Sequence, residues 1–129
     1  MSSKKIIATD QAPAAVGPYS QAVQIGRFVF TSGQLPLDPA SGKIVAGGIK
    51  EQTERTLANL QAVLAAAGAD LEDVVKTTLY IKNMDDFSTI NEIYGKYFHD
   101  KLPARSCVEA ARLPKDVLIE VEAIAVVEK

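Results

Sequence analysis

The charged residues that are best suited to binding or catalysis lie toward the carboxyl end of the chain. Arg105 follows Pro-Ala at the start of one alternating segment, and Glu120 lies within a second segment that is otherwise apolar. A guanidinium can hold a carboxylate through two parallel hydrogen bonds, and a half-buried carboxylate can orient or deprotonate a water molecule. Each residue could instead form an ion pair or be satisfied across a subunit interface. Glu109 and Glu122 compete with Glu120 for the same role, and the pattern leaves these alternatives open.

Three further side chains could take part in chemistry. Cys107 lies two residues after Arg105, but a nucleophilic thiol needs a base, and nothing in the pattern brings His99, the only histidine, close to it. We therefore interpret Cys107 as a packed thiol or as a residue whose backbone lines a pocket. Tyr19 and Ser32 occupy predicted strand ends near loops, where functional side chains are frequent.

Composition restricts the classes of function. The chain has 129 residues and a net charge of −2, and its basic residues are scattered, which gives little support for nucleic-acid binding. One cysteine and one histidine cannot form a four-ligand zinc site. No segment approaches the roughly 20 apolar residues of a membrane span, and the start of the chain lacks the apolar core of a signal peptide. We expect one cytoplasmic domain over residues 1–129, with no nucleic-acid or membrane partner.

The elements that must position these residues follow from hydrophobic periodicity. Two strands joined at Gly26-Arg27 are followed by a helix, a strand, a second helix and two final strands, with a possible short first strand at Ile6-Ile7. The predicted ranges after the first hairpin are Ile49–Ala67 (helix), Val74–Ile81 (strand) and Asp86–His99 (helix). This order indicates an α+β fold in which two helices cover one face of the sheet. The other face needs a cover, and homo-oligomerisation supplies one.

Residues 103–127 are predicted to form a hairpin around a type I turn at Leu113–Asp116. The residue numbers of each cross-strand pair then sum to 229. This register gives one apolar face on the last strand and one mixed face with Arg105, Cys107 and Glu120. In this register Arg105 and Glu120 of one chain lie about 13 Å apart, too far for one small substrate. We therefore expect a site that combines Arg105 of one subunit with Glu120 of the next.

Three stretches resemble the RidA family, also called the YjgF or reactive-intermediate deaminase family. They are APAAVGPYSQAV from Ala12, TSGQLPLDP from Thr31 and PARSCVEAARLPKDVLIEVEAIAV from Pro103, and the similarity spans essentially the whole chain. The resemblance implies a chorismate-mutase-like α+β fold, with a mixed, mostly antiparallel sheet, assembled as a homotrimer with clefts between subunits. It also implies hydrolysis of reactive enamines and imines, released by pyridoxal-phosphate enzymes such as serine/threonine dehydratase, to 2-oxo acids and ammonia.

The resemblance assigns roles to individual residues. Arg105 matches the arginine that binds the substrate carboxylate, and Glu120 matches the glutamate that positions the attacking water. The other matching cleft residues are Tyr19, Ser32, Gly33, Asn91 and Cys107. No metal or cofactor is expected, because a protonated imine is already electrophilic at carbon. The alternatives are a trimer that binds a 2-oxo acid without turnover, a chaperone-like trimer and a nuclease, although no basic patch or metal-ligand set supports the last.

Overall fold

The computed structural model describes residues 3–128, which form one mixed six-stranded sheet and two α-helices. The strands are β1 Lys5–Ile7, β2 Ala22–Ile25, β3 Phe28–Thr31, β4 Val74–Ile81, β5 Ala104–Glu109 and β6 Ile119–Val126. The helices are α1 Ile49–Ala66 and α2 Phe87–Tyr97. The strand order is β1-β2-β3-β6-β4-β5, and all neighbours are antiparallel except β4 and β5. The predicted α+β class and the order of the elements are confirmed. Within the described residues, no helix is both long enough and apolar enough to cross a membrane.

Helix α1 has a clear sequence signal at each end. Near its start, the side chain of Glu51 accepts the N–H of Gly48 at 2.9 Å and so satisfies a donor that the helix leaves unpaired. At its end Gly68 adopts φ +79°, the left-handed conformation that favours glycine. The inward stripe of Leu57, Leu60 and Leu64 is at most 1% exposed, as the periodicity predicted. The helix therefore packs one face against the sheet.

The central strands β4 and β6 supply the sheet side of the core. Ile119, Val121, Ala123 and Ala125 of β6 are at most 2% exposed, which confirms the predicted apolar face. Facing the same side, β4 contributes a buried row of Thr77, Leu79 and Ile81. This shared inner face, together with α1 and α2, forms one hydrophobic core.

The predicted terminal hairpin is wrong, because β4 lies between β5 and β6. Strand β5 pairs with β4 in parallel, and β6 pairs with β4 antiparallel. Strands β5 and β6 therefore do not pair with each other, and the predicted register does not occur. At the turn, the N–H of Asp116 donates to the carbonyl of Leu113 at 2.9 Å, and Lys115 has φ +57°. A positive φ at this third position of the turn rules out the predicted type I turn. Asp116 has φ +58° as well, and the N–H of Val117 donates to the carbonyl of Pro114 at 3.2 Å, so a second turn overlaps the first.

Burial explains why β4 takes the central place. No residue of β5 is buried, and its polar side chains suit a sheet edge. Four residues of β4 are buried, so this strand gains more from neighbours on both sides. Sequence alternation is similar in β5 and β6 and does not reveal which strand intervenes.

The observed strand order also divides the predicted mixed face between the two sides of the sheet. Arg105 pairs with Thr77, so Arg105 and Cys107 lie on the helix-covered side of the sheet. Glu120 pairs with Tyr80 and lies on the opposite, open side. The prediction that Arg105, Cys107 and Glu120 share one face is therefore wrong.

The open side is strongly apolar over β1, β2 and β3. Ile6, Ile25, Phe28 and Phe30 are between 40% and 54% exposed, and strand pairing places all four on this side. The rings of Phe28 and Phe30 stack with centroids 6.2 Å apart. A continuous apolar surface of this kind is typical of a protein interface.

Candidate functional site

Helix α2 builds a cradle for Arg105 at the edge of the sheet. Nη1 of Arg105 donates to Oδ1 of Asn91 at 2.7 Å. Its Cζ lies 5.3 Å from the ring centre of Phe87 and 4.8 Å from that of Tyr94. The three helix residues are spaced by four and three positions and so share one helix face. Since Arg105 itself is exposed, the cradle orients a guanidinium whose other N–H groups can meet a ligand carboxylate.

Tyr94 is the rigid part of this cradle. It is 7% exposed, its hydroxyl lies 2.8 Å from Oγ1 of Thr77, and its ring stacks on Phe98 at 4.6 Å. Burial raises the pKa of the Tyr94 phenol above its usual value, so the ring is neutral at physiological pH. Arg105 therefore rests on a fixed, uncharged aromatic surface that leaves its positive charge uncompensated.

Cys107 lies on the same side of the sheet as Arg105 and is partly buried against the core. Burial raises the pKa of its thiol, although the nearby charge of Arg105 acts in the opposite direction. A thiol with a raised pKa is protonated at neutral pH and is a weak nucleophile. This environment agrees with the interpretation of Cys107 as a packed thiol.

Glu120 forms the centre of a second group of candidate residues on the open side. Its side chain is half-buried, and burial raises the pKa of its carboxyl, with a further contribution from the nearby carboxylate of Glu122. The hydroxyl of Tyr80 donates to Oε2 of Glu122 at 3.4 Å. A carboxylate with a raised pKa is a stronger base toward water. Glu120 is therefore a stronger base than a solvent-exposed carboxylate.

Gly33 makes room for the Glu120 side chain. A Cβ at position 33 would lie 2.7 Å from Cδ of Glu120 and would overlap Oε2. Backbone hydrogen bonds of the next residue, Gln34, hold this contact in place. The N–H of Gln34 donates to the carbonyl of Val121 at 2.8 Å, and the carbonyl of Gln34 accepts from the N–H of Val121 at 3.1 Å. The requirement for glycine here comes from close approach rather than from backbone conformation.

Ser32 and Tyr19 lie near Gly33 and make different contacts. The hydroxyl of Ser32 donates to the carbonyl of Ser20 at 2.5 Å, so it ties the end of β3 to the preceding loop. Tyr19 is 50% exposed, and its hydroxyl accepts from the N–H of Val16 at 3.4 Å. Tyr19 and Gly33 line one small cavity, and Lys115 lines it as well.

One chain holds these residues as two separate groups. Arg105, Asn91 and Cys107 form the first, and the second contains Glu120 with the residues around Gly33. Between Arg105 and Glu120 there are two strand spacings and three residues along the strands, which correspond to about 14 Å between Cα atoms. Their side chains also point to opposite faces. Although the predicted register is wrong, the expectation that one chain separates them agrees with the structure.

Sequence reasoning missed several contributors. Phe87 and Tyr94 are not among the predicted site residues, although their spacing around Asn91 is a usable signal for a side-chain cradle. Lys115 was treated as a turn residue, and its approach to the cavity near Gly33 depends on a turn conformation that no local pattern specifies. No group of three His, Cys, Asp or Glu side chains within residues 3–128 is arranged to hold a metal ion.

Comparison with known proteins identifies the family. The family model described as "Endoribonuclease L-PSP" matches residues 9–127. The "2-iminobutanoate/2-iminopropanoate deaminase" of Mus musculus is 52% identical and covers 95% of this chain and 91% of its own length. The structure of "E. coli TdcF with bound serine" has a TM-score of 0.91, 48% identity and coverage of 96% of this chain and 99% of its own. The YjgF gene product from E. coli has the same four values. The chain therefore belongs to the RidA (YjgF) family, which this model describes.

Proposed function

We propose that this protein hydrolyses reactive 2-enamino and 2-imino acids to 2-oxo acids and ammonia. The substrates would be the short-lived products of pyridoxal-phosphate enzymes such as serine/threonine dehydratase. The observation that carries the proposal is the exposed guanidinium of Arg105, which Asn91, Phe87 and Tyr94 hold in one orientation. The names of relatives from mouse and Salmonella, both 52% identical, support the same reaction.

In this proposal Arg105 binds the substrate carboxylate. A charge-assisted hydrogen bond contributes on the order of 1.5–3 kcal/mol, and a guanidinium can make two of them in parallel. The serine bound to the TdcF relative is a small molecule with the same α-carboxylate group. Arg105 would thus fix one end of the substrate and leave its C=N carbon accessible to water.

Glu120 would act on the water. The carboxylate takes a proton as the water oxygen bonds to the imine carbon, and the C=N π electrons move to nitrogen. The resulting carbinolamine then loses ammonia after Glu120 returns that proton to its nitrogen, and the hydroxyl group gives its own proton to Glu120 as the carbon–oxygen double bond of the 2-oxo acid forms. General-base assistance of this kind typically contributes about 10²–10⁴-fold. The raised pKa of Glu120 favours the uptake of the proton.

A complete site in this scheme requires more than one subunit. Arg105 and Glu120 point to opposite faces of one sheet, so a substrate could contact both only where two copies meet. We propose a homotrimer, the assembly that the family resemblance implies, in which Arg105 of one subunit and Glu120 of its neighbour border each cleft. The exposed apolar surface of Ile25, Phe28 and Phe30 supports such an association.

The test couples a serine/threonine dehydratase to semicarbazide trapping of the released imine. Adding the protein should lower the amount of semicarbazone, and Arg105→Ala should abolish this effect. Arg112→Ala is the matched control, because Arg112 forms an exposed ion pair with Asp116 that contributes little to stability. Unchanged trapping with the wild-type protein would refute the deaminase function. If 2-oxo acid binding persisted without turnover, the ligand-binding regulatory function would be favoured instead.

A further inference from the structure

Asn59 is a buried polar residue in the interior of α1. It is fully buried, and asparagine is a poor helix former, so α1 itself gains little from it. Its Nδ2 donates to the carbonyls of Leu35 and Leu37, both at 2.9 Å. Its Oδ1 accepts from Nε of Arg55 at 3.1 Å. Asn59 therefore fastens the segment around residues 35–37 to the helix layer.

The segment that Asn59 holds is continuous in sequence with Gly33 and Gln34, which lie beside Glu120 and Val121. Gln34 pairs with Val121, the residue after Glu120, through two hydrogen bonds. Gly33 then packs against the Glu120 carboxyl so closely that no Cβ fits between them. Three consecutive contacts thus connect the amide of Asn59 to the position of the Glu120 carboxylate.

We propose that Asn59 is a positioning residue for Glu120, acting through the segment from Gly33 to Leu37. This inference rests on the proposed role of Glu120 in proton transfer. Without the Asn59 amide, the carbonyls of Leu35 and Leu37 lose their side-chain donor and are drawn toward water. The segment then moves away from Glu120, water reaches the carboxylate, and the carboxylate loses its fixed orientation.

The ionisable groups around Glu120 make the effect measurable. Glu122 on β6 and Tyr80 on β4 face it, and residues 32–37 carry no ionisable side chain. Burial is the main cause of the raised Glu120 pKa. Movement of the segment from Gly33 to Leu37 away from Glu120 should therefore lower that pKa, while the smaller effect of Glu122 persists. Arg105 lies on the other side of the sheet, so substrate carboxylate binding should change little.

The experiment compares Asn59→Ala and Asn59→Asp with Thr56→Val. Asn59→Asp keeps the size of the side chain and its acceptor for Arg55 but removes both donors, and it provides a second variant if the alanine variant does not fold. Thr56 is buried on the same helix, and its Oγ1 has no hydrogen-bond partner among the described residues. For either Asn59 variant we expect kcat to fall about tenfold, with KM changed less than about twofold. Thr56→Val should keep both parameters.

Two further measurements separate positioning from general stability. An NMR titration of the Glu120 carboxyl should show a lower pKa in the Asn59 variants. In a Glu120→Gln background, Asn59→Ala should change kcat by less than about twofold, because the group it positions is already absent. An unchanged titration, or an equal loss of kcat in both backgrounds, would overturn the inference. If Glu120→Gln alone kept full activity, the proposed role of Glu120 would fail, whereas a shifted titration would still demonstrate the connection to Asn59.

Discussion

Replacing Gly33 by alanine should disable proton transfer while leaving carboxylate binding intact. The added Cβ would lie 2.7 Å from Cδ of Glu120, whereas carbon atoms in favourable contact are about 3.5–4.0 Å apart. The carboxyl must therefore move by about 1 Å, because two hydrogen bonds between Gln34 and Val121 hold the backbone next to Gly33. Misplacement of this size can lower a rate by about 10²-fold. We expect kcat to fall by that order with little change in KM.

The assay is steady-state hydrolysis of an imine generated in place by a dehydratase, with the loss of imine followed at several substrate concentrations. Gly95→Ala is the matched control, since a Cβ at this exposed position of α2 meets no atom within 4 Å. It should keep kcat and stabilise the helix by about 1 kcal/mol. A Gly33→Ala protein with wild-type kcat, or one in which only KM rises, would refute the placement of Glu120 against Gly33 as the catalytic arrangement.

Two other predictions concern Glu120 and its partner subunit. Mixing inactive Arg105→Ala and Glu120→Ala proteins in equal amounts should restore about a quarter of the wild-type activity. The reason is that random subunit exchange leaves one cleft in four with both intact residues. No recovery after verified subunit exchange would contradict a shared site. Glu120→Gln should raise the melting temperature at about pH 7.5 and have little effect at about pH 4. The reason is that a raised folded-state pKa gives a stabilising contribution that is complete at low pH and is lost as pH rises through that pKa. Calorimetry at both pH values checks this, and an equal difference at both would argue against a raised pKa.

Local patterns predicted the parts of the fold that depend on near neighbours in sequence. The β2–β3 hairpin, the bounds of β4 and the buried stripe of α1 agree with alternation, helical spacing and glycine positions. The partner of β6 was predicted wrongly, because β5 and β6 show similar alternation and only competition from β4 decides the pairing. That error moved Arg105 and Cys107 to the wrong face, since the choice of partner strand fixes which side chains share a face.

The candidate site was predictable in its members but not in its arrangement. Arg105 and Glu120 were recognised from residue type, position and family resemblance. The close approach of Gly33 to Glu120 depends on a bridge between Gln34 and Val121, which are 87 positions apart in the sequence. Asn59 gave no sequence signal of its own, because a single asparagine in a helix is ordinary until its hydrogen-bond partners are known.

The position of β6 has a consequence for how the molecule acquires its structure. It is the last strand in chain order, yet it lies between β3 and β4. Strands β1 to β3 and the β4–β5 pair cannot be joined into one sheet until β6 enters between them. Such long-range pairing slows folding and exposes unpaired edges in the meantime. Because Glu120 lies on that strand, the chain completes its sheet and positions its proposed base in the same step.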